Sequence, residues 1–497
     1  MAKKRIVVKK PQQDSLQLSL LSEVPDVQNK PDTPEQQNFI NYSGNSSVVL
    51  AATAGSGKTY SCTKRLKELL RRGVDPSRII FFSFTKAATE ELTKRIGNDD
   101  IMVTTIHAFC MGILSKCGKF KKIATFYQFV EWFRDKYKPK PSADQATKSF
   151  YYETIGILYD EHEYLSSAIA AFKLQSADGI KAKVPDYINE YRAFLRETKS
   201  RDFSDMLIEV RDLFKEDKYL KQFRGKYDYI FIDEYQDTST IQLQILLALN
   251  ANYYYLIGDR YQSIYSYSGA NCAKLEEMIK DRRDTIEMSL SVNFRSDQNI
   301  VKNSNQFSGL KAVANSQEDG FVDDKLMLTI DELVEVLKFP EEVAVLVRTN
   351  DVIKKLEIIL LKKKIPMRYH NYITASDIKD FHAGDIKQSL KTKLNMFKND
   401  FETPNDLIHF IEMHKKSNKF ITTIHKSKGR EFDTTVIVNS IPPYMLDANP
   451  SAAKLTKKQR DKLTFDPNDE EDLEPRNIHY VAVSRAKHKI YFMALLF

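Results

Sequence analysis

The stretch Ala54-Gly55-Ser56-Gly57-Lys58-Thr59 constrains this chain more than any other. It follows a short apolar run, Val48-Val49-Leu50-Ala51, and precedes a helical pattern through Leu66, Leu69 and Leu70. A buried strand that turns through glycines into a helix points backbone N–H groups at an anion, at the end where the helix dipole is positive. In such a loop the closing lysine reaches the β- and γ-phosphates, and the hydroxyl residue after it is a magnesium ligand. Lys58 and Thr59 occupy those two places. The strict pattern wants glycine where this chain has Ala52, so the assignment rests on the strand–turn–helix context.

Similar apolar runs recur at Ile79–Phe82, Tyr229–Ile232, Tyr254–Ile257, Val343–Val347, Thr434–Val438 and Ile490–Met493, with helical patterns between them. Strands alternating with helices predict an α/β fold of parallel sheets with crossover helices. Two of the runs end in chemistry. Asp233-Glu234-Tyr235-Gln236-Asp237 offers one carboxylate to a magnesium ion and a neighbour able to orient or deprotonate a water. Gly258-Asp259-Arg260-Tyr261-Gln262 ends in a glutamine able to contact a γ-phosphate or a water, although by itself it is equally a polar turn. Residues 111–199 have few strand-like runs. Their aromatics (Phe126, Tyr127, Phe129, Trp132, Phe133, Tyr151, Tyr152) predict the core of a helical insertion.

Composition narrows the function classes. Four cysteines with no C-x-x-C pair argue against a zinc ribbon, an iron–sulfur cluster and a disulfide scaffold. No apolar run approaches the ~18–20 residues of a membrane span. The basic N-terminus lacks the apolar segment of a secretory signal. A cytoplasmic protein, or one of a host cell's cytoplasm, is the expectation. The net charge of +8 is compatible with a nucleic-acid partner without requiring one.

The motifs also come in a recognisable order. Thr33-Pro34-Glu35-Gln36 precedes the phosphate loop. Phe84-Thr85-Lys86-Ala87-Ala88, Thr105-Ile106-His107-Ala108-Phe109 and Arg201-Asp202-Phe203-Ser204-Asp205 follow it. Then come DEYQDTS, GDRYQSIYSYSGA, VNFRS from Val292, TTIHKSKGREFD from Thr422 and HYVAVSRAKHKI from His479. From Gln36 to Arg485 the chain resembles the UvrD/Rep-like branch of superfamily 1 helicases. The resemblance implies two RecA-like motor domains that use ATP and Mg2+. Ala54, Gly55, Ser56, Gly57, Lys58 and Thr59 would cradle the phosphates, and Thr59 and Asp233 would hold the metal. Glu234 would act on the water. Gln36 would read the adenine, Phe294 would stack on it and Glu431 would bond the ribose. Gln262 would sense the γ-phosphate, which Arg295 and Arg485 would reach from the second domain as arginine fingers. On single-stranded DNA, the rings of Phe84, Tyr265 and Tyr267 would stack on bases, and Thr85, Thr105, His107, Thr423 and His425 would position the backbone.

The resemblance divides the chain into a basic tail (1–30), a first motor domain (31–110 and 200–283), the helical insertion (111–199) and a second motor domain (284–380 and 419–497). Residues 381–418 stand where the family inserts a large helical domain, called 2B, and are expected to be its vestige. The family's usual Trp-Arg is Tyr267-Ser268 here, and its usual Leu before the ribose glutamate is Arg430. The sequence ends soon after Arg485, so the nuclease of RecB-like relatives is not expected. The expected activity is ATP-dependent translocation on single-stranded DNA and unwinding of forked or tailed duplex, 3′ to 5′ by analogy. The alternative is a DNA-stimulated ATPase acting as a sensor or regulatory subunit beside a nuclease or replication complex. In the tail, Gln17-Leu18-Ser19-Leu20-Leu21 resembles a sliding-clamp docking peptide, with Leu21 in place of the usual aromatic.

Overall fold

The computed structural model describes residues 31–160, 162–179, 181, 183–265, 270, 272–384, 388–448, 455–465 and 473–495. Tyr267 and the segment Gln17–Leu21 lie outside the described residues.

Two parallel sheets organise the chain. The first has the order β3-β2-β4-β5-β1-β6, built from β1 (Ser47–Ala52), β2 (Ile79–Phe82), β3 (Met102–Thr104), β4 (Tyr229–Asp233), β5 (Tyr253–Gly258) and β6 (Thr285–Leu290). Its central strands are uninterrupted apolar runs because both faces are covered. Phe39, Leu66, Leu69 and Leu92 pack on one face, and Phe109, Ile113, Leu207, Val210, Ile245 and Leu246 on the other.

Between this sheet and the next, Val292–Asn293 and Val313–Ala314 form a small parallel pair, β7 and β8. The second large sheet has the order β11-β10-β12-β13-β9, from β9 (Phe321–Met327), β10 (Val343–Val347), β11 (Lys419–Thr423), β12 (Phe432–Val438) and β13 (Ala486–Met493).

One placement differs from the sequence reading. Thr285–Leu290, assigned above to the second domain, is the sixth strand of the first sheet and pairs with β1 from Ser47↔Thr285 to Ala52↔Leu290. As an edge strand it keeps polar Glu287 and Ser289 on its outer side, which hid its membership. The boundary between the motor domains therefore falls near residue 291. In the segment 381–418, the helices Gln388–Asn395 and Pro404–Met413 bury Leu390, Leu394, Leu407, Ile408 and Ile411 in the same core as Val343, Val345 and Leu356. This segment is a cover on the second sheet and not a separate lobe.

The insertion is helical as expected and has its own core of Phe126, Phe129, Phe133, Leu158, Tyr191 and Phe194. Tyr127 and Tyr152 are the exceptions, because both are exposed on the outer sides of their helices.

Candidate nucleotide site and nucleic-acid face

Gly55 and Gly57 adopt left-handed backbone angles, φ 72° and 78°. At Gly55 a Cβ would meet Cβ of Arg295 at 2.8 Å, so glycine is needed both for the turn and for the approach of the second domain. Gly57 starts helix Lys58–Arg71 with no side-chain cap, which leaves first-turn N–H groups without an intrahelical acceptor. Ser56 Oγ closes the loop by donating to the Thr53 carbonyl at 2.8 Å. Gln36 is buried beside it. Its Oε1 accepts from the Thr33 N–H in a capping box, and its Nε2 donates to the Ser56 carbonyl at 3.5 Å.

The acidic turn faces this loop. Asp233 ends β4, and Glu234 follows at φ 50° with its N–H donating to Asp233 Oδ1 at 3.0 Å. Burial and the Glu234 charge push the Asp233 carboxyl up, against the pull of Lys58. Burial also acts on Glu234, but Lys58, Lys428, Gln236 and Arg485 outweigh it and hold that carboxyl well below the usual range. The Asp233 carboxylate and the Thr59 hydroxyl at the start of the loop helix offer oxygen donors only. An all-oxygen donor set of this kind suits a hard divalent cation that shares its coordination with phosphate.

The second domain completes the cleft. Asn293 Nδ2 donates to the Ala54 carbonyl at 2.9 Å, and the Phe294 N–H donates to the Gly55 carbonyl at 2.9 Å. Arg295, expected at the γ-phosphate, and Glu431, expected at the ribose, are paired with each other, Nε to Oε2 at 2.7 Å. Arg485 is 2% exposed and donates to Gln262 Oε1 at 3.1 Å, to Val481 O at 3.0 Å and to Ser484 Oγ at 2.8 Å. Burial and the adjacent Arg295 charge push the pKa of its guanidinium down.

Three residues that sequence reasoning passed over bind the same cleft. Tyr480 donates to Asp259 Oδ2 at 2.9 Å, Lys428 pairs with Asp237 at 2.5 Å and donates to Gln262 O at 2.6 Å, and Asn477 Nδ2 donates to Ser263 O at 3.0 Å. All lie in the quoted blocks or just before them. Their signal was a polar residue at a position that the helical and strand patterns leave buried.

On the outer side of the cleft, Phe84 is 48% exposed and stacks on Tyr265, with ring centroids 5.5 Å apart. Tyr265 meets His425 edge-on at 5.7 Å, and His425 Nε2 bonds Ile264 O at 3.1 Å. The hydroxyls of Thr85, Thr105 and Thr423 accept from the N–H groups of Ala88, Ala108 and Lys426. Each therefore caps a helix, and the N-terminal dipoles of these helices add to the anion-attracting field. His107 packs edge-on against Phe203 at 5.2 Å, and burial pushes its pKa down.

The first half of the chain, residues 32–283, matches the UvrD/REP helicase N-terminal domain, and residues 374–495 match the UvrD-like helicase C-terminal domain. The chain belongs to the UvrD/Rep helicase family. It is 27% identical over 361 residues to a probable DNA helicase II homolog of Mycoplasma capricolum, covering 65% of this chain and 49% of that protein. It is also 27% identical over 385 residues to the ATP-dependent DNA helicase PcrA of Leuconostoc citreum, covering 68% of this chain and 50% of that one. Against a probable DNA helicase of Mycoplasma pneumoniae it is 24% identical over 476 residues, 90% of this chain and 80% of that protein. The chain thus spans about half the length of the first two relatives.

Proposed function

We propose that this protein is an ATP-dependent translocase on single-stranded DNA that unwinds forked or tailed duplex in the 3′ to 5′ direction. One observation carries the reading: the phosphate loop, the acidic turn and two arginines from the other domain converge on one cleft, with Gln262 bonded to Arg485 across it. Lys58 and the loop N–H groups bind the triphosphate. Gln36 orients the base, and Phe294 stacks on it. Glu234, kept ionised by the surrounding cations, accepts the proton of the attacking water. Arg295 leaves Glu431 for the γ-phosphate as Glu431 takes the ribose, and Arg485 stabilises the charge that develops. Thr59 and Asp233 are the residues that would hold Mg2+, which supplies charge neutralisation to the phosphate oxygens.

Because both domains contribute, the site is complete only when they are closed, so each turnover is tied to a domain movement. Phe84, Tyr265 and Tyr267 stack on bases while the capped helix ends of Thr85, Thr105 and Thr423 and the imidazoles of His107 and His425 hold the backbone. Among the described residues no helix is long and apolar enough to cross a membrane. A cytoplasmic site of action suits such a motor.

The test is strand separation with purified protein and ATP on duplexes carrying either a 3′ or a 5′ single-stranded tail. Separation of the 3′-tailed substrate alone supports the proposal. Hydrolysis stimulated by DNA with neither duplex opened assigns the protein instead to a sensor or regulatory role.

A further inference from the structure

Glu35 lies one residue before Gln36, in the first turn of the helix Pro34–Asn41. Its carboxylate reaches the stretch of chain that joins the two motor domains. Oε2 accepts from the Ser291 N–H at 2.6 Å, and both oxygens accept from the Ser291 hydroxyl, at 2.9 and 3.0 Å. Oε1 also accepts from the Ser289 hydroxyl at 3.3 Å. The Ser291 carbonyl in turn accepts from the Val313 N–H of β8 at 2.9 Å. The backbone of Ser291 is therefore fixed on both sides at the boundary between the domains.

The linker then runs along the phosphate loop. The Thr53 N–H donates to Leu290 O at 3.0 Å, Asn293 Nδ2 to Ala54 O at 2.9 Å, and the Phe294 N–H to Gly55 O at 2.9 Å. Phe294 stands three residues beyond the Glu35 contact. The helix that carries Glu35 is held as firmly. At its far end, Ile40 O accepts from Arg65 Nη1 at 2.9 Å and Asn41 O from Arg72 Nη2 at 2.8 Å. At its near end the Thr33–Gln36 capping box closes the first turn. A Cβ on Gly57 would stand 3.1 Å from Gln36 Nε2, so the glutamine amide is seated on the loop. Glu35 thus ties the element bearing Gln36 to the element bearing Phe294.

We propose that Glu35 is a positioning residue for base recognition, setting the spacing between the Gln36 amide and the Phe294 ring and with it the preference for adenine over guanine. It acts through Ser291. A carboxamide pairs its oxygen with N6–H and its nitrogen with N7 of adenine, whereas guanine sets the O6 acceptor against that oxygen. Such discrimination needs the edge-reading amide held in a fixed relation to the ring that stacks on the base, because it depends on leaving a polar group unpaired with the wrong base. The inference rests on the proposed roles of Gln36 and Phe294, and its test separates the two.

Steady-state hydrolysis of ATP and of GTP by the full chain is measured with single-stranded oligothymidylate, for the wild type, Glu35→Ala, Glu35→Gln and Ser291→Ala. Inorganic tripolyphosphate serves as a competitive inhibitor that has no base. Glu35→Ala is expected to lower the ratio of kcat/KM for ATP over GTP about tenfold, the size of one lost hydrogen bond to a charged group. The loss should fall on KM for ATP, with kcat at saturation and Ki for tripolyphosphate within about twofold. Glu35→Gln keeps an acceptor for the Ser291 N–H and should restore most of the ratio, and Ser291→Ala should show a smaller loss than Glu35→Ala. Equal losses in Glu35→Ala and Glu35→Gln would trace the effect to negative charge at the helix N-terminus and overturn the inference. A parallel rise in Ki for tripolyphosphate would reduce Glu35 to packing of the phosphate loop and overturn it too. An unchanged ratio in Glu35→Ala overturns it while leaving the roles of Gln36 and Phe294 intact. A wild type that uses ATP and GTP equally well overturns both.

Discussion

Arg485 Nη2 and Gln262 Oε1 meet at 3.1 Å across the cleft between the two sheets. The contact continues on both sides. Gln262 Nε2 donates to Asp259, and Asp259 accepts from Tyr480 of the same helix that leads into Arg485. The result is a closed ring of polar side chains, two from each domain, every one of them buried. Buried polar groups of this kind are stable only when all partners are present. Opening the cleft breaks the ring at two bonds, so the position of Gln262 reports whether the second domain is seated.

Lys58→Ala should lower ATP hydrolysis by roughly 10²-fold or more, the size of losing one preorganised charge at a reacting phosphate. Single-stranded DNA binding should hold within a few-fold, because Phe84 and the threonine-capped helix ends lie on another face. Hydrolysis assays and fluorescence anisotropy on the same preparation check both halves. A variant that still turns over ATP at near the native rate would remove Lys58 from the site.

Lys428 and Asp237 form an ion pair whose side chains are 9% and 0% exposed. Removing one partner of a buried pair strands the other, so Lys428→Met should cost about 3–5 kcal/mol in urea unfolding. Adding Asp237→Asn should recover a large part of that loss, since no lone buried charge remains. Equal instability of the single and double variants would mean that Lys428 matters through its bond to the Gln262 carbonyl instead.

The strands legible in the sequence were those buried on both faces, such as Ile79–Phe82 and Val343–Val347, where the run is unbroken by a polar residue. The strands less visible carry polar side chains: Met102–Thr104, Thr285–Leu290 and Lys419–Thr423 are edges or have threonines and a lysine inside them. Burial of Lys419 depends on the Glu341 carbonyl and Asn418 side chain that accept from it, and no local pattern announces such partners.

The candidate site divides in the same way. Residues in the strand-to-helix turns, from Gly55 to Thr59 and at Asp233 and Glu234, were legible because loop geometry and chemistry reside in one short stretch. The pairing of Arg295 with Glu431 was not, since it joins positions far apart in the sequence and becomes visible only when β7, β12 and the phosphate loop are brought together. Helix capping by Thr85, Thr105 and Thr423 was likewise hidden behind their expected contact with DNA, although an N-cap threonine and an anion at the same helix end serve one electrostatic purpose.

Phe84→Ala should weaken single-stranded DNA binding by ~1–3 kcal/mol, the stacking contribution of one base, with little dependence on sequence. KM for ATP should not change. Anisotropy titrations with oligothymidylate and with a mixed sequence decide this. A loss confined to one sequence would point to base-edge recognition in place of stacking.

The central claim is that catalytic competence requires a residue from each domain. It is tested most directly by comparing turnover and nucleotide affinity in Arg485→Ala. An arginine finger acts on charge that develops during phosphoryl transfer, so kcat should fall by ~10³-fold or more while the dissociation constant for ATP stays within a few-fold. If affinity for ATP instead collapsed while turnover at saturation held, Arg485 would be a ground-state binding group and the two-domain account of hydrolysis would be wrong.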